Sequence, residues 1–126
     1  MESCNMKNTI LLSFANQRLR LNQQGGGIME YYLLDKNKRR NIIYGYSDES
    51  EKAGSMGDVL FPFPGRVENS QYEFASLKLK LSGLKQKDGH AIHGFVKTVL
   101  WDIESETDSA LVLSYTLAKD EYAPKG

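Results

Sequence analysis

The chain is short of cysteine, histidine, proline and net charge, and each shortage narrows what it can be. A single cysteine, Cys4, among 126 residues excludes an internal disulfide framework and fits a reducing compartment, so a cytoplasmic setting is expected. Sixteen basic side chains balance sixteen acidic ones, which leaves no overall field to draw in nucleic acid or anionic lipid. The local excess Lys36-Asn37-Lys38-Arg39-Arg40 reads as a turn between two strands. No apolar run approaches the length of a membrane span, and Ile10-Leu11-Leu12 is too short for the core of a signal peptide; neither a nucleic acid nor a membrane is expected as partner. Two histidines three positions apart, His90 and His93, would face opposite sides of a strand, and no further cysteine or histidine stands ready to complete a zinc site. Gly25-Gly26-Gly27 lacks the preceding strand and following helix of a phosphate loop and serves better as a turn or bulge. No metal and no cofactor are expected.

What the sequence does contain is alternation. The hydrophobic share of 40% and charged share of 25% are ordinary for a soluble globular protein, and the length suits one domain at most. Apolar residues recur with period two in Gln17–Leu21, Leu77–Leu81 and Leu111–Leu117, as in half-buried strands. Residues 9–14, 27–34, 40–44, 71–74 and 95–104 are further strand candidates, rich in β-branched and aromatic types. Turn-tolerant residues separate them: Gln24–Gly27, Asp35–Asn37, Asn69-Ser70, Lys87–Gly89 and Thr107–Ser109. The expected fold class is all-β, an antiparallel β-sandwich built from successive hairpins. Residues 46–58 break the alternation and read as a long loop with one helical turn; loops of that length are uncommon in compact domains and tend to be functional.

Two residues stand out as binding candidates. Arg66 follows the stiff segment Phe61-Pro62-Phe63-Pro64-Gly65, whose prolines fix φ and whose aromatic rings can anchor it. Its guanidinium could bridge two adjacent hydroxyls or pair a carboxylate; the other reading is an arginine closing a surface salt bridge. His93 precedes Gly94, a pairing that would let a ligand approach the backbone beside an imidazole able to donate or accept near neutral pH. His90 follows a polar loop and is expected in solvent. Trp101 alternates with Val99 and Ile103 and reads as a packing residue before a sugar-stacking platform. A small, polar, ring-shaped ligand suits this set, a carbohydrate above all. The carboxylates Asp48, Glu49, Glu51 and Asp58 show no spacing that singles out an acid and base pair, so no catalytic residue is assigned.

The segment Phe61-Pro62-Phe63-Pro64-Gly65-Arg66-Val67, with Tyr72 following, resembles the Pro-Asn-Arg-Ile element and Tyr-x-Phe strand of the aldose 1-epimerase (galactose mutarotase) family. His90-Ala91-Ile92-His93-Gly94 resembles that family's Asn-x-x-His-Gly element, and Trp101 sits where a tryptophan commonly follows. The resemblance implies a galactose mutarotase-like β-sandwich, a free aldose, typically a hexose, as ligand, and Arg66 and His93 as sugar-contacting residues. It implies anomer interconversion: a base takes the proton of the anomeric hydroxyl, an acid protonates the ring oxygen, and the open aldehyde recloses on either face. Gly65 and His90 depart from the pattern, each standing where the family favours Asn. Family members are more than twice as long, and their catalytic second His and Glu fall beyond the position matched by Lys125-Gly126. Residues 1–126 are therefore expected to be the N-terminal part of one such domain, incomplete and inactive alone. Its apolar faces Leu77/Leu79/Leu81 and Leu111/Leu113/Tyr115/Leu117, with unpaired strand edges, are expected to favour self-association.

Overall fold

The computed structural model describes residues 8–118. Cys4 and the stretch around Lys125 lie outside them. Among the described residues ten strands, all paired antiparallel, form one four-stranded sheet and three two-stranded ones, so the all-β expectation holds. Two compact units are formed, one from residues 8–59 and 99–115 and the other from 60–98 with 116–118. Among the described residues no helix is long and apolar enough to cross a membrane.

In the first unit, β1 (Thr9–Phe14), β2 (Gln17–Asn22), β3 (Ile28–Asp35) and β4 (Lys38–Ile43) follow one another as a meander. Register puts Leu12, Leu19, Tyr31 and Ile43 in one row across all four strands. That row lines an apolar hollow of about 340 Å³ together with Phe14 and Ile28. The opposite face is polar, and there Arg20 stands directly across from Glu30. The basic cluster is the β3–β4 turn, as expected: Lys36 and Asn37 both take positive φ (47° and 63°) between paired Asp35 and Lys38, the geometry that matches strand twist in a two-residue hairpin. Arg39 from this turn bonds Glu30 and stacks 3.7 Å from the Tyr32 ring centroid.

The long loop carries one 3-10 turn, Glu49–Glu51, capped by Asp48, whose Oδ1 accepts from the Ser50 N–H. It is tied to the sheet by the Tyr46 N–H donating to the Met29 carbonyl and the Ile28 N–H donating to the Gly57 carbonyl. A Lys52–Asp58 ion pair, largely withdrawn from solvent, closes it on itself. β9 (Asp102–Glu106) and β10 (Leu111–Ser114) complete the unit. Trp101 lies against Gly26 and near Tyr115, with ring centroids 6.3 Å apart, a packing residue as expected.

The strand expected over 95–104 does not form as one element. The chain enters it from a turn, His93 and Gly94 at positive φ (64° and 73°), and bends again at Phe95 and over 97–99. Its backbone then bonds piecemeal: Phe95 N–H to the Phe61 carbonyl, the Val99 carbonyl from Gly25 N–H, and an isolated bridge at Leu100. Only from Asp102 does a ladder run. The strand expected over 111–117 stops at Ser114, although its alternation survives: Leu111, Leu113, Tyr115 and Leu117 are half-buried and Val112 is exposed. In the second unit, β6 (Gln71–Phe74) pairs with β7 (Leu77–Lys80) alone. Leu77, Leu79 and Leu81 are not a uniform face. Leu77 at the hairpin tip is 63% exposed, Leu79 is half-buried, and Leu81 is buried.

Candidate functional site

The second unit positions both sequence-selected residues. The segment entering the site crosses a cis Phe61–Pro62 bond, and the Phe63 ring meets Phe95 edge-on at 6.2 Å and 77°. Beyond Pro64 and Gly65 the chain enters β5 (Arg66–Val67), which pairs with β8 (Ala91–Ile92). Arg66 stands opposite Ile92, so Gly65 and His93 meet at the next step of the same ladder. There the His93 N–H donates to the Gly65 carbonyl (2.9 Å), and the Gly65 N–H donates to Nδ1 of the His93 ring (3.1 Å).

This second bond settles the chemistry of the imidazole. A nitrogen that accepts from an amide carries no proton, so the ring proton sits on Nε2 and that edge is a donor. His93 is half-buried and holds a left-handed backbone, a conformation costing a non-glycine residue about 1 kcal/mol and recurrent at functional sites. Gly94, expected to admit a ligand to the backbone, instead admits the chain itself. A Cβ there would fall 2.0 Å from the Phe61 carbonyl oxygen, so the missing side chain lets the two halves of the site close.

Arg66 is 59% exposed and its Nε donates to Asp88 Oδ2 at 2.9 Å. Among the described residues nothing bonds its two terminal nitrogens. Both readings of this arginine thus coexist, a surface ion pair at Nε and two free donors at the far edge. Asp88 and Ser70 were not singled out from the sequence. The Ser70 hydroxyl is buried and donates to the Gly89 carbonyl (2.9 Å), and Asp88 Oδ1 accepts the His90 N–H (3.0 Å). Asp88 is held ionised below its ordinary range, first by that backbone N–H and then by the Arg66 guanidinium. The Asp-Gly pair announced a turn, but only the β5–β8 register brings it to Arg66.

His90 corrects an expectation. It is half-buried, not solvated, because its Nδ1 accepts from the Asn69 N–H at 3.0 Å and ties the 86–90 turn to the 3-10 turn at Glu68–Ser70. Asn69 takes φ 53° there. Gly65, at φ 72° with open space where a Cβ would stand, occupies the backbone region that glycine and asparagine tolerate best.

The class defined by this architecture is that of the galactose mutarotase-like all-β proteins. A solved GalM/aldose epimerase homologue from C. elegans superposes with a TM-score of 0.72 at 17% identity, over 91% of this chain and 38% of that one. The chain therefore spans well under half the length of that homologue. Residues 9–123 match the family description of aldose 1-epimerase, and the chain belongs to that family. No curated protein matches it.

Proposed function

We propose that this chain is the N-terminal, sugar-binding portion of an aldose 1-epimerase domain, and that Arg66 and His93 contact a free aldose of hexose size. What supports this most is that each residue, Arg66 within the β5–β8 ladder and His93 just past its end, keeps donors to spare: two terminal guanidinium nitrogens and the Nε2–H of an imidazole whose other nitrogen is occupied. Hydroxyl and ring oxygens are the natural acceptors for such a set. A cytoplasmic setting in carbohydrate metabolism belongs to the same reading, and the single cysteine favours a reducing compartment.

A second reading, sugar binding without turnover, is favoured by one feature. Among the described residues both imidazoles accept from backbone amides, and neither is hydrogen-bonded to a carboxylate that could act with it as an acid and base pair. Positioned acid and base groups each contribute about 10²–10⁴ in rate. The 126-residue polypeptide should therefore leave the mutarotation of fresh α-D-glucose or α-D-galactose at the buffer rate in polarimetry. Sugar titration should meanwhile shift the amide resonances of Gly65 and His93. Catalysis well above buffer that disappears in His93→Ala would overturn the second reading, and no shift at either residue would overturn the first.

Self-association is part of the proposal. Every residue of β4 is exposed, and Phe74, Leu77 and Val112 present apolar surface. A monodisperse monomer in light scattering, with no binding of a hydrophobic dye, would remove it.

A further inference from the structure

We propose that Asp88 is a positioning residue for Arg66: it holds the Nε edge of the guanidinium so that the opposite edge, Nη1 and Nη2, is presented as a two-donor fork to a vicinal diol of the sugar. This rests on the sugar-binding reading above and specifies how one of its two residues meets the ligand. An exposed arginine has many rotamers, and an exposed ion pair adds little stability, so the consequence of this pair lies in orientation.

Asp88 is fixed from behind. Its Oδ1 accepts the His90 N–H (3.0 Å) while Oδ2 accepts Arg66 Nε (2.9 Å), and one carboxylate can serve both donors only in this pose. The turn that carries it is closed by Gln86 N–H on the His90 carbonyl (2.9 Å) and Gly89 N–H on the Gln86 carbonyl (3.0 Å). It is then anchored to the Asn69–Ser70 segment by His90 Nδ1 and the Ser70 hydroxyl. Both anchors and β5 lie in the same stretch of chain, so the carboxylate and the arginine it grips share one frame. With Nε engaged, the parallel N–H groups of the far edge remain, and their spacing matches two neighbouring oxygens. Adjacent hydroxyls of a pyranose offer such a pair unless both are axial and opposed.

The test uses the full chain and two variants, Asp88→Asn and Arg66→Lys. An amide at 88 can accept from one of the two donors but not from both, and lysine has no fork. In the wild type without ligand, the Arg66 Nε–H should give a slowly exchanging, ordered resonance, and Asp88→Asn should release it. With D-galactose as probe, Asp88→Asn should weaken binding roughly two- to fivefold. Added to Arg66→Lys it should cost nothing further, since both act through one fork. An Arg66 Nε–H that is mobile in the wild type, or unchanged in Asp88→Asn, overturns the proposal, as does additivity of the two substitutions. If the wild type binds no sugar, the binding reading fails, and the Nε–H measurement still decides whether Asp88 fixes the arginine.

Discussion

Replacing Glu30 by glutamine tests whether the polar face of the four-stranded sheet carries part of the stability of its unit. The Glu30 side chain is 7% exposed and bonds Arg20 (Nε to Oε1, 3.1 Å) and Arg39, whose side chains are 26% and 44% exposed. The amide keeps the shape but must turn its NH2 toward one of two guanidinium donors. The Arg39 side is half in water and loses little; the Arg20 side loses a charge-assisted bond and leaves a mostly covered cation uncompensated. The sum is about 2–3 kcal/mol, or about 8–24 °C in melting temperature for a unit of this size. Trp101, the one tryptophan, lies in the same unit, so its fluorescence in a urea titration reads the loss directly.

The pH dependence of that loss has a definite sign. Burial raises the Glu30 carboxyl, but hydrogen bonds and charges from Arg39 and Arg20 outweigh burial and hold it below its ordinary value of 4.5. A depressed carboxylate contributes its full stabilisation above the unfolded value and loses it as pH falls through the folded one. The gap between wild type and Glu30→Gln should be constant at neutral pH, begin to close below about 4.5, and vanish once Glu30 is protonated in the fold. A neutral-pH cost under about 0.5 kcal/mol, or a cost that stays the same down to pH 3, would refute the reasoning.

Two further substitutions probe the other unit. Gly94→Ala places a Cβ 2.0 Å from the Phe61 carbonyl oxygen at a φ of 73°, so a cost of about 2–4 kcal/mol is expected; amide exchange at Phe95, whose N–H bonds that carbonyl, should speed up, and unchanged protection there would refute it. The β6–β7 hairpin turns through Ala75 and Ser76 at φ 49° and 64°, a geometry that suits Asn-Gly far better. The double substitution Ala75→Asn/Ser76→Gly should stabilise the hairpin by about 0.5–1 kcal/mol, measured as slower exchange of the paired Phe74 and Leu77 amides, and faster exchange would count against it.

What the sequence revealed and what it concealed divide along one physical line. Strands over Thr9–Phe14 and Gln71–Phe74 and the β3–β4 turn were legible because alternation and turn chemistry are local, decided within a few neighbouring residues. The 95–104 segment misled because period two reports which side chains are buried, and says nothing of whether the backbone between them keeps its ladder. Here it does not, since the chain bends at Phe95 and again over 97–99 while Val99 and Trp101 continue the apolar beat. The Ala75-Ser76 turn was legible only as a gap between two expected strands, not in its geometry: neither residue favours positive φ, and the pairing of Phe74 with Leu77 imposes it on them. Ion pairs were beyond local reading altogether. Arg20 and Glu30 are ten apart, and Arg66 and Asp88 are twenty-two apart; only register makes them neighbours. In the candidate site this matters most, because the motifs named Arg66 and His93, while the groups that fix which edge of each stays open, the Gly65 amide on His93 and the Asp88 carboxylate on Arg66, arrive from across the sheet. The open donor edge of each side chain is thus set by a partner outside its own motif, and substitutions at these partners are the ones that separate a built site from a chance pair of polar side chains.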